Sequence, residues 1–422
     1  MTPGQIRSTY LTLTLLETAA LSLIWGVNTL FLLDAGLSIT EAFIVNGAFS
    51  AGYLLFEVPT GVIADSAGRR ASYLLGAVTL LVATVGYYVL WSVEAGLAAW
   101  VVVSLGIGLG FTFFSGATEA WVVDALHATG FDGEIEDVFG ARQAAYGFAF
   151  LIGILLGGLL AQINLGVPYL VRSVVLLALI VFVVMRMRDI GFEPDRSQTV
   201  GEGVKRILRN SVEHGFRNRP MRLLILGAPF TVGVFFWVFY GFQPYVLELA
   251  DDQGAVYLAA VAAAVFALAQ MVGGWSVSRV RRLFRLRTTI LAVALGTGVV
   301  AMIGIGLAQQ MPRPLGLWVA VALFGTVAFA DGVFNPVRQA YISEIVPSEQ
   351  RATVLSFDAM MGDGGGVIAQ PALGRVADVY SLGVGYVVAG IVYSIRIPLV
   401  IAVRRMGLGA DRANSAEDAV AD

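Results

Sequence analysis

Cysteine is missing from the whole chain of 422 residues, which excludes disulfides, thiolate metal sites and cysteine nucleophiles. Histidine is nearly missing. His127 and His214 are expected in loops far apart in sequence, so no histidine metal site is expected, and no metal or other cofactor is assigned. Lys205 is the one lysine among 27 basic residues, a composition bias rather than chemistry. Charge of either sign is scarce: 14% of residues are charged, where soluble domains carry about 25%. The net charge of -3 gives no reason to expect a nucleic-acid partner. There is no G-x-x-x-x-G-K-[ST] nucleotide loop, so ATP-driven pumping is not expected. The run Gly106-Ile107-Gly108-Leu109-Gly110 lies inside an apolar segment and reads as helix packing. Nothing here points to an enzyme.

Apolar residues are what the chain has instead. They make up 57% of it, and mean hydropathy is +0.78, so lipid is the expected solvent for most of the surface. A membrane-crossing helix needs about 20 apolar residues. Hydropathy places twelve such segments, at 10–33, 41–64, 72–92, 97–124, 141–164, 167–187, 222–248, 255–277, 288–310, 315–341, 352–377 and 383–403. The first is too long for a signal peptide and lacks a cleavage site. The expected fold is an all-α membrane protein with two six-helix bundles, 1–187 and 222–405. A polar connector at 188–221 joins them, and a tail at 406–422 is expected to be disordered. In the connector, Val200, Val204, Ile207, Leu208 and Val212 recur at helical spacing with Lys205, Arg206 and Arg209 between them. Such a pattern fits an amphipathic helix on the inner leaflet or a plain tether.

Arginines gather at alternate segment ends, among them Arg69, Arg70, Arg186, Arg188, Arg279, Arg281, Arg282, Arg285, Arg404 and Arg405. The opposite loops carry mostly acids, such as Asp34, Glu94, Asp251 and Asp252. The positive-inside rule then puts both termini in the cytoplasm, with the chain in the cytoplasmic membrane. The two halves repeat one another. Glu57-x-x-x-Gly61 matches Gln270-x-x-x-Gly274, Glu119-Ala120-Trp121-x-x-Asp124 matches Gln339-Ala340-Tyr341-x-x-Glu344, and Arg142 matches Arg351.

Between the second and third segments stands Gly61-Val62-Ile63-Ala64-Asp65-Ser66-Ala67-Gly68-Arg69-Arg70. Its G-x-x-x-D-x-x-G-R-R spacing resembles the signature loop of the major facilitator superfamily of transporters. Parallel six-helix repeats with solute bound between them near the bilayer midplane belong to the same resemblance. It implies that Asp65 sits against the N-terminus of helix eleven, where free N–H groups favour an anion. It also implies that Arg69 pairs with Asp124, and that Glu344-x6-Arg351 bridges helices ten and eleven. With Gly61 and Gly68 as turn residues and Arg70 and Arg142 beside them, these would form a cytoplasmic gate. An anchoring cluster that only fixes topology is the alternative. In the second half Ser278 replaces the signature aspartate, and basic residues alone persist.

Charges inside spans mark pathways, proton sites or buried pairs. Glu17, Glu57, Glu119, Asp331 and Asp363 are the candidate proton carriers, and Arg338 is expected to neutralise Asp331 two turns away on the same face. Arg172, Asp358 and Arg396 are further intramembrane charges. Trp25, Asn28, Trp121, Trp237, Tyr240, Gln243, Asn335, Arg338 and Gln339 are candidates to line a solute cavity, or are packing and interface residues. Gly153-x-x-x-Gly157-Gly158 and the run Gly362 to Gly366 allow close helix contact.

The resemblance implies a secondary active transporter that moves a small organic, amphipathic solute by alternating access, coupled to protons and directed outward. The helix-five glycine motif of facilitator antiporters is partly kept, but Gly158 stands where that motif has proline, and Val102 to Ser104 replace the helix-four basic residue of drug exporters. A proton-coupled importer of a nutrient or organic anion, held by Arg338 or Arg172, and a non-transporting sensor of the same fold remain the alternatives. Expected partners are the solute, protons and the bilayer, with the protein a monomer.

Overall fold

The computed structural model describes residues 1–192, 201, 205, 209, 216 and 218–412, the side chains of 348–350 and 352–353 excepted. The chain divides into two compact units, Met1–Ile207 with Ala255–Val261 and Leu208–Gly254 with Ala262–Asp422. Most of the connector helix expected over Val200 to Val212 lies outside the described residues.

The first unit holds α1 (Pro3–Trp25), α2 (Asn28–Asp34), α3 (Ile39–Ala67), α4 (Arg69–Ser92), α5 (Leu97–Thr112), α6 (Ala117–Ala128), α7 (Ile135–Ala161) and α8 (Val167–Arg186). Local signals set their starts. Thr2 with Gln5, and Ser38 with Glu41, form capping boxes that satisfy the first free N–H groups of α1 and α3. α1 and α2 form one span bent by 49°. α5 and α6 form another, broken where Gly116 takes φ +68.

The second unit holds α9 (Arg219–Gly227), α10 (Pro229–Ala250), α11 (Tyr257–Leu283) from residue 262 on, α12 (Arg287–Leu307), α13 (Leu315–Ile345), α14 (Ser348–Val379), α15 (Leu382–Ser394) and α16 (Arg396–Arg404). Among the described residues, ten helical stretches are long and apolar enough to cross a membrane, and the bent α1–α2 pair makes eleven. α14 is the twelfth. At 32 residues it is about 48 Å long, and Asp358, Asp363, Arg375 and its glycines lower its hydropathy. All twelve coincide with the segments read from sequence.

The helices pack where the sequence removes side chains. A Cβ on Gly153 would stand 1.8 Å from Ser22 Oγ, and one on Gly157 1.8 Å from the Leu23 carbonyl oxygen, so α7 lies directly against α1. The core of the first unit is aromatic: Phe31 stacks on Tyr169 at 3.9 Å and meets Trp100 edge-on. In the second unit Phe242 stacks on Phe324 at 4.0 Å, and Trp237 packs on Tyr386 at 5.0 Å.

The first residues of the segment expected to be a disordered tail pack against the second unit. Asp411 is 3% exposed and accepts hydrogen bonds from the Thr288 amide at 2.8 Å and the Thr288 hydroxyl at 2.7 Å. Leu286 pairs with Arg412 in an isolated bridge. Residues 413–422 lie outside the described residues.

Candidate functional site

The turn of the signature loop is a single residue. Gly61 lies inside α3 with nothing within reach of an added Cβ, so it makes no turn. Gly68 makes the turn alone, at φ +110 and ψ 150, a conformation essentially confined to glycine. An added Cβ there would also stand 2.6 Å from Asp189 Oδ2. The other oxygen of Asp189 accepts from the Arg70 amide at 2.9 Å, and the Arg70 guanidinium donates to the Val184 carbonyl at 2.9 Å. Asp189 thus supplies the anion at the N-terminus of α4, where the free N–H groups and the helix dipole favour one.

Three expected pairings are corrected. Arg69 meets Asp65 at 2.6 Å, not Asp124. The one-residue turn keeps Asp65 and Arg69 within one helical step, while half-buried Asp124 lies on α6 with its backbone against Gly191. Glu344 meets Arg287 of α12 at 2.5 Å. Arg351, on the next helix as expected, has its side chain exposed in the first turn of α14, and Glu344 is taken by Arg287 instead. Arg338 pairs with Asp358, both Nη atoms donating, one at 2.5 Å, and does not reach Asp331. Seven residues along a helix share a face but are about 10.5 Å apart, too far for a side-chain pair.

The intramembrane acids have separate partners. In the first unit Glu17 on α1, half-buried, accepts from the Tyr73 hydroxyl of α4 at 2.7 Å. Arg142 does not lie at the end of α7. It stands two turns inside that helix and pairs with Glu119 of α6 at 2.9 Å. Glu57, about three turns before the Gly68 turn, accepts from the Ser115 hydroxyl at 2.7 Å. In the second unit Asp331 is 4% exposed and is held by two neutral amides, Gln270 and Asn335, each at 2.8 Å. Asp363 is half-buried in α14. Arg396, 2% exposed, donates to the Thr231 hydroxyl and lies 4.5 Å over the Phe334 ring.

The proposed cavity residues separate by burial. Asn28 is buried, donating to Asn46 at 3.0 Å and accepting from the Tyr169 hydroxyl at 2.9 Å. Trp121 is buried and donates from its indole to the Arg188 carbonyl at 2.8 Å. Trp237 and Gln243 are buried within the second unit, and Arg338 is committed to Asp358. These five are closed to a solute in this structure. Trp25 and Tyr240 are partly accessible, and Asn335 and Gln339 are exposed. Sequence reasoning missed Tyr73, Ser115, Asp189 and Asp411. The last two had a signal: each is the first acid after the sixth span of its half. Among the described residues no cluster of three or more His, Cys, Asp or Glu side chains could hold a metal ion.

The profile of the Major Facilitator Superfamily matches residues 10–370. The chain belongs to that superfamily. It is a multi-pass membrane transporter, not an enzyme. An uncharacterized MFS-type transporter of Bacillus subtilis (strain 168), YxaM, is 19% identical over 379 residues, 88% of this chain and 89% of that protein. Among solved structures, a point mutant of the nucleoside transporter NupG superposes with a TM-score of 0.75 at 14% identity, covering 95% of this chain and 99% of the other. The POT family transporter PepTSo superposes with a TM-score of 0.71 at 15% identity, covering 96% and 98%. At those identities the superfamily fold is what is shared.

Proposed function

We propose that this superfamily member is a proton-coupled exporter of a small amphipathic organic solute, working by alternating access as a monomer in the cytoplasmic membrane with both termini inside. The observation that carries the coupling is the arrangement of Glu17, Tyr73, Glu119 and Arg142 in the interior of the first unit. Glu17 has a neutral hydroxyl as its hydrogen-bond donor, whereas Glu119 has a guanidinium. A carboxylate without a fixed cation can gain or lose a proton without breaking an ion pair. A change of charge at Glu17, in the same unit as the Arg142–Glu119 pair, is then a way to turn protonation into helix movement. Asp331, buried and hydrogen-bonded through one oxygen to two neutral amides, is the second candidate by the same criterion.

Trp25 and Tyr240 are the aromatic surfaces that stay accessible to an amphipathic solute, and Asn335 and Gln339 are polar groups of the same kind. Anion capture by Arg338 is disfavoured by its bidentate engagement with Asp358. Asp65, Gly68, Arg69 and Arg70 in the first unit and Glu344 and Arg351 in the second are assigned to the gate.

The test is solute accumulation in vesicles of purified protein under an imposed pH gradient, with a panel of amphipathic cations and organic anions. The reading expects amphipathic cations to move opposite to protons. Movement with protons would establish the importer. Accumulation independent of the gradient would remove proton coupling.

A further inference from the structure

At the end of the first unit where α1 begins and α8 finishes, a groove of about 340 Å³ opens between the two helices. That volume is at the small end of ligand sites, about 300–1,000 Å³. Gln5 and Ser8 of α1 line it from one side. Phe182, Met185 and Arg186 of α8, with Arg188 just beyond, line it from the other. The spacing i, i+3, i+4 puts the α8 residues on one face. No carboxylate lines the groove, and neither arginine forms an ion pair among the described residues. The adjacent acid, Asp189, is taken up by the start of α4.

The walls are held in place. The Trp121 indole fixes the Arg188 carbonyl, and the Arg70 guanidinium fixes that of Val184. The groove also has a defined depth. α8 has 20 residues, about 30 Å, the thickness of the hydrocarbon core, so Arg186 at its end lies at headgroup level. Val174, Leu177, Val181 and Val184 form an exposed apolar stripe along the same helix, and Met185 is 61% exposed beside it. A groove that is cationic at one end and continuous with an exposed apolar stripe matches a molecule that is anionic at one end and apolar at the other.

We propose that this groove seats the headgroup of an anionic phospholipid. The phosphodiester lies between Arg186 and Arg188, Ser8 and Gln5 donate to its oxygens, and one acyl chain runs along Phe182, Met185 and the α8 stripe. The site is separate from the acids assigned to coupling, and the proposal stands or falls without the transport reading.

The experiment is native mass spectrometry of the purified full-length protein, released from detergent after incubation with equal amounts of phosphatidylglycerol and phosphatidylcholine. Each basic residue near a membrane surface changes affinity for anionic lipid by about fivefold. Wild type is therefore expected to retain phosphatidylglycerol well above phosphatidylcholine. Arg186→Gln with Arg188→Gln removes that preference, while Arg404→Gln with Arg405→Gln, an equal loss of charge at another helix end, keeps it. Ser8→Phe fills the groove with both charges intact and is also expected to remove the preference, which covers a double variant that does not fold. Equal retention of the two lipids by wild type overturns the proposal, as does equal loss in the Arg404 and Arg405 control. Displacement of the retained lipid by glycerol 3-phosphate in solution overturns it too, because the groove would then be a site for soluble phosphate.

Discussion

At the start of α4, Asp189 accepts a hydrogen bond from the Arg70 amide; at the start of α12, Asp411 accepts one from the Thr288 amide. In both cases the amide belongs to the second residue of the third span of a half, and the acid follows the sixth span of the same half. An arginine then ties each end down, Arg70 to the Val184 carbonyl and Arg287 to the Ala410 carbonyl. The repeat therefore survives as a set of roles although the residues that fill them sit in unlike sequences. The interiors differ. The first unit keeps Glu17 on a neutral phenol beside a half-exposed Arg142–Glu119 pair. The second locks Arg338 to Asp358, side chains 11% and 7% exposed, and encloses Asp331 in amides. The same framework holds one interior whose ion pair is accessible and one whose ion pair is buried and fixed.

The largest effect should come from the fixed interior. Asp358→Leu strands a buried guanidinium and is expected to cost about 3–5 kcal/mol, seen as a fall in Tm in detergent. The double change Arg338→Met with Asp358→Leu should recover most of it. Arg142→Leu, the corresponding cut in the first unit, should cost about 0–1 kcal/mol because its pair is 30% and 38% exposed. Equal losses would erase the distinction between the halves.

Next comes the hairpin. Gly68→Ala forces a side chain into a glycine-only conformation and toward Asp189, with an expected loss of about 1–3 kcal/mol. Gly61→Ala lies inside α3 with open space around it, and is expected to be neutral or to raise stability by about 0.5–1 kcal/mol. The smallest effect belongs to the shared caps. Asp189→Ala and Asp411→Ala should each cost about 1 kcal/mol, and similar falls in Tm would sharpen the equivalence of the two corners.

The fold was legible because nearly every span announces itself: about 20 apolar residues between short polar breaks need no partner to be recognised, with α14 the weakest such signal. The glycines of α7 were legible for the same local reason, since a G-x-x-x-G face on an apolar helix has few other uses. Pairings were not. Arg69 has acids both along its own chain and across the bundle, and only the one-residue turn at Gly68 decides for Asp65. Arg338 and Asp331 share a helix face, yet the rise between them defeats contact, and Asp358 on another helix takes the place. Asn28, Trp121 and Trp237 read as cavity residues because sequence gives the type of a side chain and not the direction it points. Asp189 and Asp411 were overlooked because they lie in segments whose composition is that of a linker and a tail.

The central claim is that charge change in the first unit drives transport, and it rests on Glu17. The most direct test is solute-triggered proton movement across vesicles of purified protein, comparing wild type with Glu17→Gln and Glu57→Gln, and with solute exchange at equal pH measured in parallel. The account predicts proton movement in wild type and in Glu57→Gln. In Glu17→Gln it predicts none, with exchange kept. Proton movement that persists in Glu17→Gln at the wild-type rate would contradict it.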